Sequence, residues 1–208
     1  MSKFEPQFEQ FIRQQQIHDA AHDINHIKRV VKTAKSLCRA EQGDIDVVLP
    51  AAWLHDCVSF PKDHPDNKRA SVLAADKAIE FLISINYPEP YHEAIHHAIC
   101  AHSYSAKITA TSLEAQIVQD ADRLDGLGAI GVSRCMLVAG KLDSKIYYEE
   151  DPFCETRAPS SKLASVDHFY EKLFKTANTM QTKAGAKEAE SRVQFMLSFL
   201  QQLRIEIE

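Results

Sequence analysis

Apolar residues recur at steps of three and four along most of this chain, and this spacing constrains the fold more than any other feature. Between residue 24 and about residue 39 the apolar positions are Ile24, Ile27, Val31, Ala34, Leu37 and Cys38. Strict alternation of apolar and polar residues, which is typical of half-buried strands, is hard to find over any useful length. Only six glycines occur in 208 residues. The sequence therefore predicts an all-α fold.

The same spacing, together with turn residues, predicts where the helices begin and end. We expect helices over about 3–16, 24–39, 44–56, 67–85, 89–103, 113–138, 160–180 and 185–206. Gly43 is expected to close the second helix and Asp44 to cap the third. Polar segments with proline predict a loop at 59–66 and a long surface loop at 141–159. We predict one domain over residues 1–208, with a core at about 20–140 and C-terminal helices at 160–206 packed on it.

Charge and cysteine content exclude several classes of partner. The net charge of −5 and the pI near 6.1 give no electrostatic footprint for DNA, RNA or an anionic membrane. The five cysteines lie far apart and form no CxxC pair, which indicates reduced thiols. The first residues have no apolar signal-peptide core, and no window approaches the roughly 18 apolar residues of a membrane span. We therefore expect a cytoplasmic protein without a nucleic-acid or membrane partner; apolar positions on the terminal helices leave a homodimer open.

One apolar run, from Ala51 to Val58, is interrupted by the adjacent residues His55 and Asp56. A buried polar group without a partner loses roughly 2–7 kcal/mol of hydration, so each of the two side chains needs a partner. A metal ion would satisfy both at once, and a hydrogen-bonded structural pair would also explain them. The interpretation depends on further ligands elsewhere in the chain.

A literal zinc-peptidase motif occurs as His92-Glu93-Ala94-Ile95-His96. Two histidines one helical turn apart bind zinc in such enzymes, and the glutamate polarises the attacking water. His102 stands where the longer form of the motif has its third ligand. That form requires a glycine at the turn, and the β-branched Ile99 occupies the position. A zinc metallopeptidase is therefore a less favoured alternative.

Two other literal motifs lack the structural context that they require. Gly126, Gly128 and Gly131 match GxGxxG, but a helical pattern rather than a strand precedes them, which disfavours a dinucleotide site. These glycines are expected to let two helices approach closely. The series from Asp120 to Asp125 begins like a calcium loop, yet Leu124 stands where an oxygen ligand is needed.

Four residues in three motifs remain: His26 in HxxRV, the pair His55-Asp56 after an apolar helix, and Asp122 in QDADRLD. Their order resembles the HD superfamily of metal-dependent phosphohydrolases. Longer strings resemble its YedJ/YpgQ-like branch over nearly the whole chain. They are AAHDxxHxxRV at 20–30, HAIxAHSxS at 97–105, IVQDADRLDGLGAIG at 117–131, EDPF at 150–153 and DHFxxKL at 167–173.

The resemblance implies an all-α HD domain with a metal site in the helix core, whose ligands are His26, His55, Asp56 and Asp122. Two imidazoles and two carboxylates form a mixed nitrogen and oxygen ligand set. Such a set suits one divalent ion such as Mn, Mg, Fe, Ni or Co, whereas structural zinc sites are rich in thiolates. The expected reaction is hydrolysis of a phosphate ester or anhydride by a metal-activated water. The expected substrate is a nucleotide, foremost a nucleoside or deoxynucleoside triphosphate.

Roles for further residues follow from the same resemblance and from their charge. The substrate-binding candidates are Arg29, Lys62, Lys68, Arg69, His97 and His102. The catalytic candidates are Asp56, His64 as a proton donor, and Asp125, which is also a candidate partner for Arg29. Cys57 follows the HD pair where some HD enzymes have an acidic residue, so the general acid or base stays open, and His97 and His102 keep a second metal open. A nucleotide- or metal-sensing module without turnover is the non-enzymatic alternative.

Overall fold

The computed structural model describes residues 3–15, 23–60, 64–103 and 106–207. Helices account for most of these residues, and the described ranges contain no β-strand apart from an isolated bridge between Lys145 and Ala164. The prediction of an all-α fold is confirmed. By its internal contacts the chain divides into two compact units, Met1–Asp122 and Arg123–Glu208. In the part of the chain that the structure describes, no helix combines the length and the apolar character that crossing a bilayer requires.

The described residues of the first unit form six α-helices. They are α1 (Glu5–Gln14), α2 (Ile24–Glu41), α3 (Ile45–Leu54), α4 (Ala70–Ser84), α5 (His92–His102) and α6 (Leu113–Leu124). Short 3₁₀ turns at Asn67–Arg69 and Glu89–Tyr91 precede α4 and α5. The last two residues of α6 belong to the second unit by contacts.

Helix α3 lies in the centre of the first unit because its sequence is apolar on every side. All residues from Val47 to Leu54 are buried, including Pro50, and α3 packs against α1, α2 and α5. The Asp44 carboxylate accepts the amide of Asp46, so the predicted N-cap is confirmed. The helix ends at Leu54, which places the HD pair immediately beyond its last turn.

The end of α2 differs from the prediction. Gln42, not Gly43, adopts the left-handed conformation that closes the helix, with φ at 59°. Gly43 has a different reason to be glycine, since an added Cβ would lie 2.7 Å from Ile117 Cδ1. The residue thus allows the α2–α3 turn to approach α6.

The single helix predicted over 113–138 is wrong, because the structure divides it into α6 and α7 (Gly128–Lys141). The amides of Gly126 and Leu127 close the last turn of α6 onto the carbonyls of Arg123 and Leu124. Gly128 then has a φ of +67°, which glycine adopts without the steric cost that a Cβ would bring. These glycines therefore separate α6 from α7, although the spacing of apolar residues continues across them.

The second unit contains α7, the segment 142–164, α8 (Ser165–His168), a π-helical turn at Phe169–Leu173, α9 (Phe174–Ala177) and α10 (Lys183–Ile207). Helix α10 packs against α7 and α9. The helix predicted over 160–180 is shorter and begins at Ser165. The fully buried Asp167 holds the preceding segment by accepting two hydrogen bonds from Arg157, at 2.5 and 2.9 Å, and one from the Ser160 amide.

Candidate metal centre

Four helix ends meet at one point of the first unit. His26 lies in the first turn of α2, His55 and Asp56 follow the last residue of α3, and Asp122 lies in the last turn of α6. His102, the last residue of α5, is also present. All four residues predicted as metal ligands therefore come together, and a histidine predicted to bind substrate lies beside them.

The polar atoms of this cluster are separated by distances that suit a shared ion. The Nε2 atom of His26 lies 3.7 Å from Asp56 Oδ2 and 3.5 Å from Asp122 Oδ1. The Nε2 atom of His55 lies 3.5 and 3.9 Å from the same two oxygens. These distances exceed good hydrogen bonds. Two atoms that each bind one ion at roughly 2.0–2.2 Å can be this far apart, so the spacing is compatible with coordination.

The surroundings of His55 test whether the cluster fits a metal. Its Nδ1 lies 2.9 Å from the Ala52 carbonyl oxygen, which can only accept, so Nδ1 carries the proton and Nε2 has the lone pair. The side chain is fully buried, and Nε2 has no hydrogen-bond partner among the residues that the structure describes. A lone pair directed at two carboxylates is unfavourable unless a cation lies between them. The donor set therefore fits a divalent ion, and the ligand atoms of His26, His55 and Asp56 all lie within 4.8 Å of one another, as such an ion requires.

The protonation states of the cluster are those that ligands need. Burial lowers the pKa of His55, which keeps its imidazole neutral. Burial acts to raise the pKa of Asp56, but the neighbouring imidazoles of His55, His102 and His26 outweigh it and hold that pKa well below its usual range. A neutral imidazole and an ionised carboxylate are the forms that bind a cation.

His102 contacts the other side of the Asp56 carboxylate. Its Nδ1 donates to the Ile99 carbonyl over 2.6 Å, and its Nε2 lies 3.5 Å from Asp56 Oδ1. Burial acts to lower the pKa of His102, but Asp56 outweighs this effect and the pKa is raised. The two oxygens of Asp56 thus face different histidines, Oδ2 towards His26 and His55 and Oδ1 towards His102.

An unpredicted residue, Asp23, holds the first ligand helix in place. Its carboxylate accepts the backbone amide of His26 over 2.9 Å and caps α2. The sequence signal was an aspartate three residues before a histidine that begins an apolar period, which is a typical N-cap spacing. Burial acts to raise the pKa of Asp23, but the hydrogen bonds that its carboxylate accepts, together with the charge of the half-buried Arg29, lower that pKa. Asp23 is therefore ionised when it caps the helix that carries His26.

The candidates on the segment after the HD pair have mainly local contacts. His64 stacks on Phe60 with 4.4 Å between ring centroids, and its Nδ1 accepts the Asp66 amide. Lys68 and Arg69 lie in the 3₁₀ turn before α4 and are exposed, with Arg69 3.6 Å from Asp66. Lys62 lies outside the described residues.

Two further candidates have partners of their own. The Nε2 atom of His97 accepts the Thr111 amide over 3.1 Å, which ties α5 to the segment before α6. Asp125 is buried and accepts a hydrogen bond from Arg134 over 2.7 Å within the second unit. These contacts of His97 and Asp125 are with residues outside the ligand cluster.

The histidines of the peptidase motif bind other groups. His92 Nε2 lies 3.0 Å from the Tyr87 carbonyl oxygen, and His96 Nε2 lies 2.9 Å from Asp76 Oδ1. Glu93 between them is exposed. Because each imidazole is occupied by a separate partner, this geometry does not favour a zinc peptidase.

Comparison with known proteins agrees with the motif order. The family model described as the HD domain matches residues 23–127. The uncharacterised protein YpgQ of Bacillus subtilis strain 168 is 30% identical over 192 residues, which cover 90% of this chain and 85% of YpgQ. A crystal structure of an HD-superfamily hydrolase from Bacillus thuringiensis has a TM-score of 0.77 and 30% identity, covering 99% of this chain and 97% of that one. The structure of B. subtilis YpgQ in complex with ADP has a TM-score of 0.74 and 27% identity, with 99% of this chain and 95% of that one covered. The chain therefore belongs to the HD domain family and is similar to its YpgQ-like members, as the motifs predicted.

Proposed function

We propose that this protein hydrolyses a phosphate bond of a nucleotide with one divalent ion held by His26, His55, Asp56 and Asp122. The buried Nε2 of His55, directed at the oxygens of Asp56 and Asp122 without a hydrogen-bond partner in the described structure, is the observation that carries the proposal. The similarity to an HD-superfamily hydrolase from B. thuringiensis supports it.

The four side chains of the site differ in how far they are buried. His26 and His55 are fully buried and form its inner wall, whereas 19% of the Asp56 side chain and 27% of the Asp122 side chain are exposed. Substrate and water therefore reach the site from the carboxylate side. The Ala52 carbonyl fixes the His55 tautomer, and the Ile99 carbonyl fixes the His102 ring against Asp56.

A divalent ion bound there would lower the pKa of a coordinated water from 15.7 to about 7 and would polarise the phosphoryl group. Mixed nitrogen and oxygen ligation favours Mn, Mg, Fe, Ni or Co as its identity. Asp56 is partly exposed and His102 lies against its Oδ1 atom, so these two side chains are our candidates for accepting a proton from the attacking water.

The nucleotide is proposed as substrate because B. subtilis YpgQ was crystallised with ADP. A nucleoside or deoxynucleoside triphosphate fits the same class. The remaining negative charge of the substrate needs cations, and our candidates are Arg29, Lys62, Lys68 and Arg69. His64 is the candidate proton donor to the leaving group. His97 is a candidate for a further substrate contact. Asp125 is a further catalytic candidate, and only the resemblance to the HD superfamily supports it.

The test is a panel of nucleoside mono-, di- and triphosphates incubated with Mn, Mg, Co or Ni, with phosphate and pyrophosphate release measured separately. We expect turnover by the wild type and loss of turnover in Asp56→Ala. The matched control is Asp76→Ala, which removes an exposed carboxylate that bonds to His96 outside the cluster. Equal turnover by Asp56→Ala would refute the assigned site, and nucleotide binding without product would instead favour the sensing module.

A further inference from the structure

Three arginine side chains hold the residues that directly follow Asp122. Arg123 Nη1 donates to the carbonyl and hydroxyl oxygens of Thr179, at 2.8 and 2.9 Å. Arg192 Nη1 donates to the Leu124 carbonyl over 2.6 Å. Arg134 donates to the buried Asp125 carboxylate. The chain is therefore held at three successive residues, the last two of α6 and the one that follows the helix.

Arg192 donates its hydrogen bond to a backbone carbonyl of α6 itself. Leu124 is the last residue of α6, and its carbonyl is one of the groups at a helix end that lack a full set of intrahelical partners. A guanidinium at this end both satisfies the carbonyl and complements the negative end of the helix dipole. Asp122 lies two residues earlier in the same turn, so whatever limits fraying there also limits movement of Asp122.

The contact between Arg192 and Leu124 gives a structural reason for the glycines of the GxGxxG string. A Cβ on Gly128 would lie 3.2–3.5 Å from the aliphatic stem of Arg192, and Gly128 already has a φ of +67° that disfavours other residues. A Cβ on Gly131 would overlap the carbonyl group of Gly126. The glycines thus keep the α6–α7 turn tight and leave room for the Arg192 stem to pass to Leu124.

We infer that Arg192 is a positioning residue for the ligand Asp122, acting through the Leu124 carbonyl and the last turn of α6. The inference rests on the proposed metal site. It relates α10 to metal binding through the peptide chain between Leu124 and Asp122, and it gives the glycine string a structural role in place of phosphate binding.

The experiment measures Mn²⁺ affinity by electron paramagnetic resonance, together with the unfolding temperature of each metal-free protein. Arg192→Met keeps the aliphatic stem and removes the donor, and Arg192→Lys keeps a donor. Glu188→Gln removes only the charge of the exposed surface partner of Arg192. We expect Arg192→Met to weaken Mn²⁺ binding about tenfold, as losing a partner that orients a ligand does. Arg192→Lys should recover part of this loss, and Glu188→Gln should match the wild type.

The outcomes separate this inference from the proposed function. Wild-type affinity in Arg192→Met, with or without a lower unfolding temperature, would make Arg192 a structural residue only and overturn the inference while the metal site stands. No Mn²⁺ binding by the wild type would overturn both. Weakened binding in Arg192→Met that is restored in Arg192→Lys supports both.

Discussion

The two ring nitrogens of His55 have different surroundings, and this difference determines what the residue can bind. The Nδ1–H group donates a hydrogen bond to the Ala52 carbonyl oxygen, while Nε2 faces carboxylate oxygens inside the protein. The neighbouring Asp56 has the same division between its two oxygens, one towards His26 and His55 and the other towards His102. Individual atoms, rather than whole residues, therefore define the site.

Replacing single histidines by glutamine distinguishes the cluster from the peptidase motif. We expect His55→Gln to weaken Mn²⁺ binding by more than about a hundredfold, because even outer partners of a ligand contribute roughly 10–100-fold. His96→Gln, a matched change on α5, should leave the affinity unchanged because its partner is Asp76. The measurement is metal titration followed by electron paramagnetic resonance, with circular dichroism to establish folding. The opposite pattern would favour the zinc site at residues 92–96.

The buried carboxylate of Asp167 makes stability depend on acid pH. Burial acts to raise its pKa, but the hydrogen bonds from Arg157 and Ser160 outweigh this, so the pKa lies below its ordinary value of 3.8. A depressed pKa contributes stability that is present above pH 3.8 and is lost as the pH falls through the folded-state pKa. We expect the free energy of unfolding to fall below about pH 4, and to fall less steeply in Asp167→Asn, as urea titrations across this range would show. The same pH dependence in both proteins would assign the effect to other carboxylates.

At the scale of elements, periodicity predicted the helices well but missed how they end. The apolar steps of α2 and α3 were sufficient to find both helices, since the apolar sides of those helices are the buried sides. Periodicity carried the predicted helix through 125–127, because the spacing of apolar residues continues across Gly126 and Gly128. The spacing of apolar residues also does not reveal the left-handed conformation of Gln42 or the π-helical turn at 169–173.

Two glycines of α7 should respond to alanine in opposite directions. Gly131→Ala places a methyl group into the carbonyl group of Gly126, and we expect a loss of about 1–3 kcal/mol in the free energy of unfolding. Gly140 has open space around it, with nothing within 4 Å of an added Cβ. Gly140→Ala should stabilise the protein by about 0.5–1 kcal/mol, because it restricts the unfolded chain. Urea unfolding of the two variants tests this, and a destabilised Gly140→Ala would contradict it.

At the scale of the molecule, the order of the motifs predicts which residues form the site. The order of His26, the HD pair and Asp122 selects two histidines whose Nε2 atoms lie 3.5–3.9 Å from oxygens of the two aspartates. The same reasoning could not place His64, Lys68 or Arg69 relative to them, because charge alone does not tell a substrate contact from a solvated side chain. Substrate identity depends on such contacts, which a single sequence does not display.

Metal binding should raise the thermal stability of the protein. An ion at 100 times its dissociation constant adds about 2.7 kcal/mol to the folded state, which corresponds to roughly 5–10 °C for a chain of this size. We expect Mn²⁺ to produce this shift in the wild type and none in His26→Gln, measured by scanning calorimetry after chelation and reloading. An equal shift in both proteins would place the bound ion elsewhere.

The ligands sit at the ends of α2, α3 and α6 and are spread over the chain from residue 26 to residue 122. Contacts so distant in sequence form late, after the entropy of closing long loops has been overcome. An ion can then be captured only by a chain that has nearly finished folding. Added Mn²⁺ should leave the refolding rate unchanged and slow unfolding, since interactions absent from the transition state act on the unfolding rate alone. The ion would thus prolong the lifetime of the native state without helping the chain to reach it.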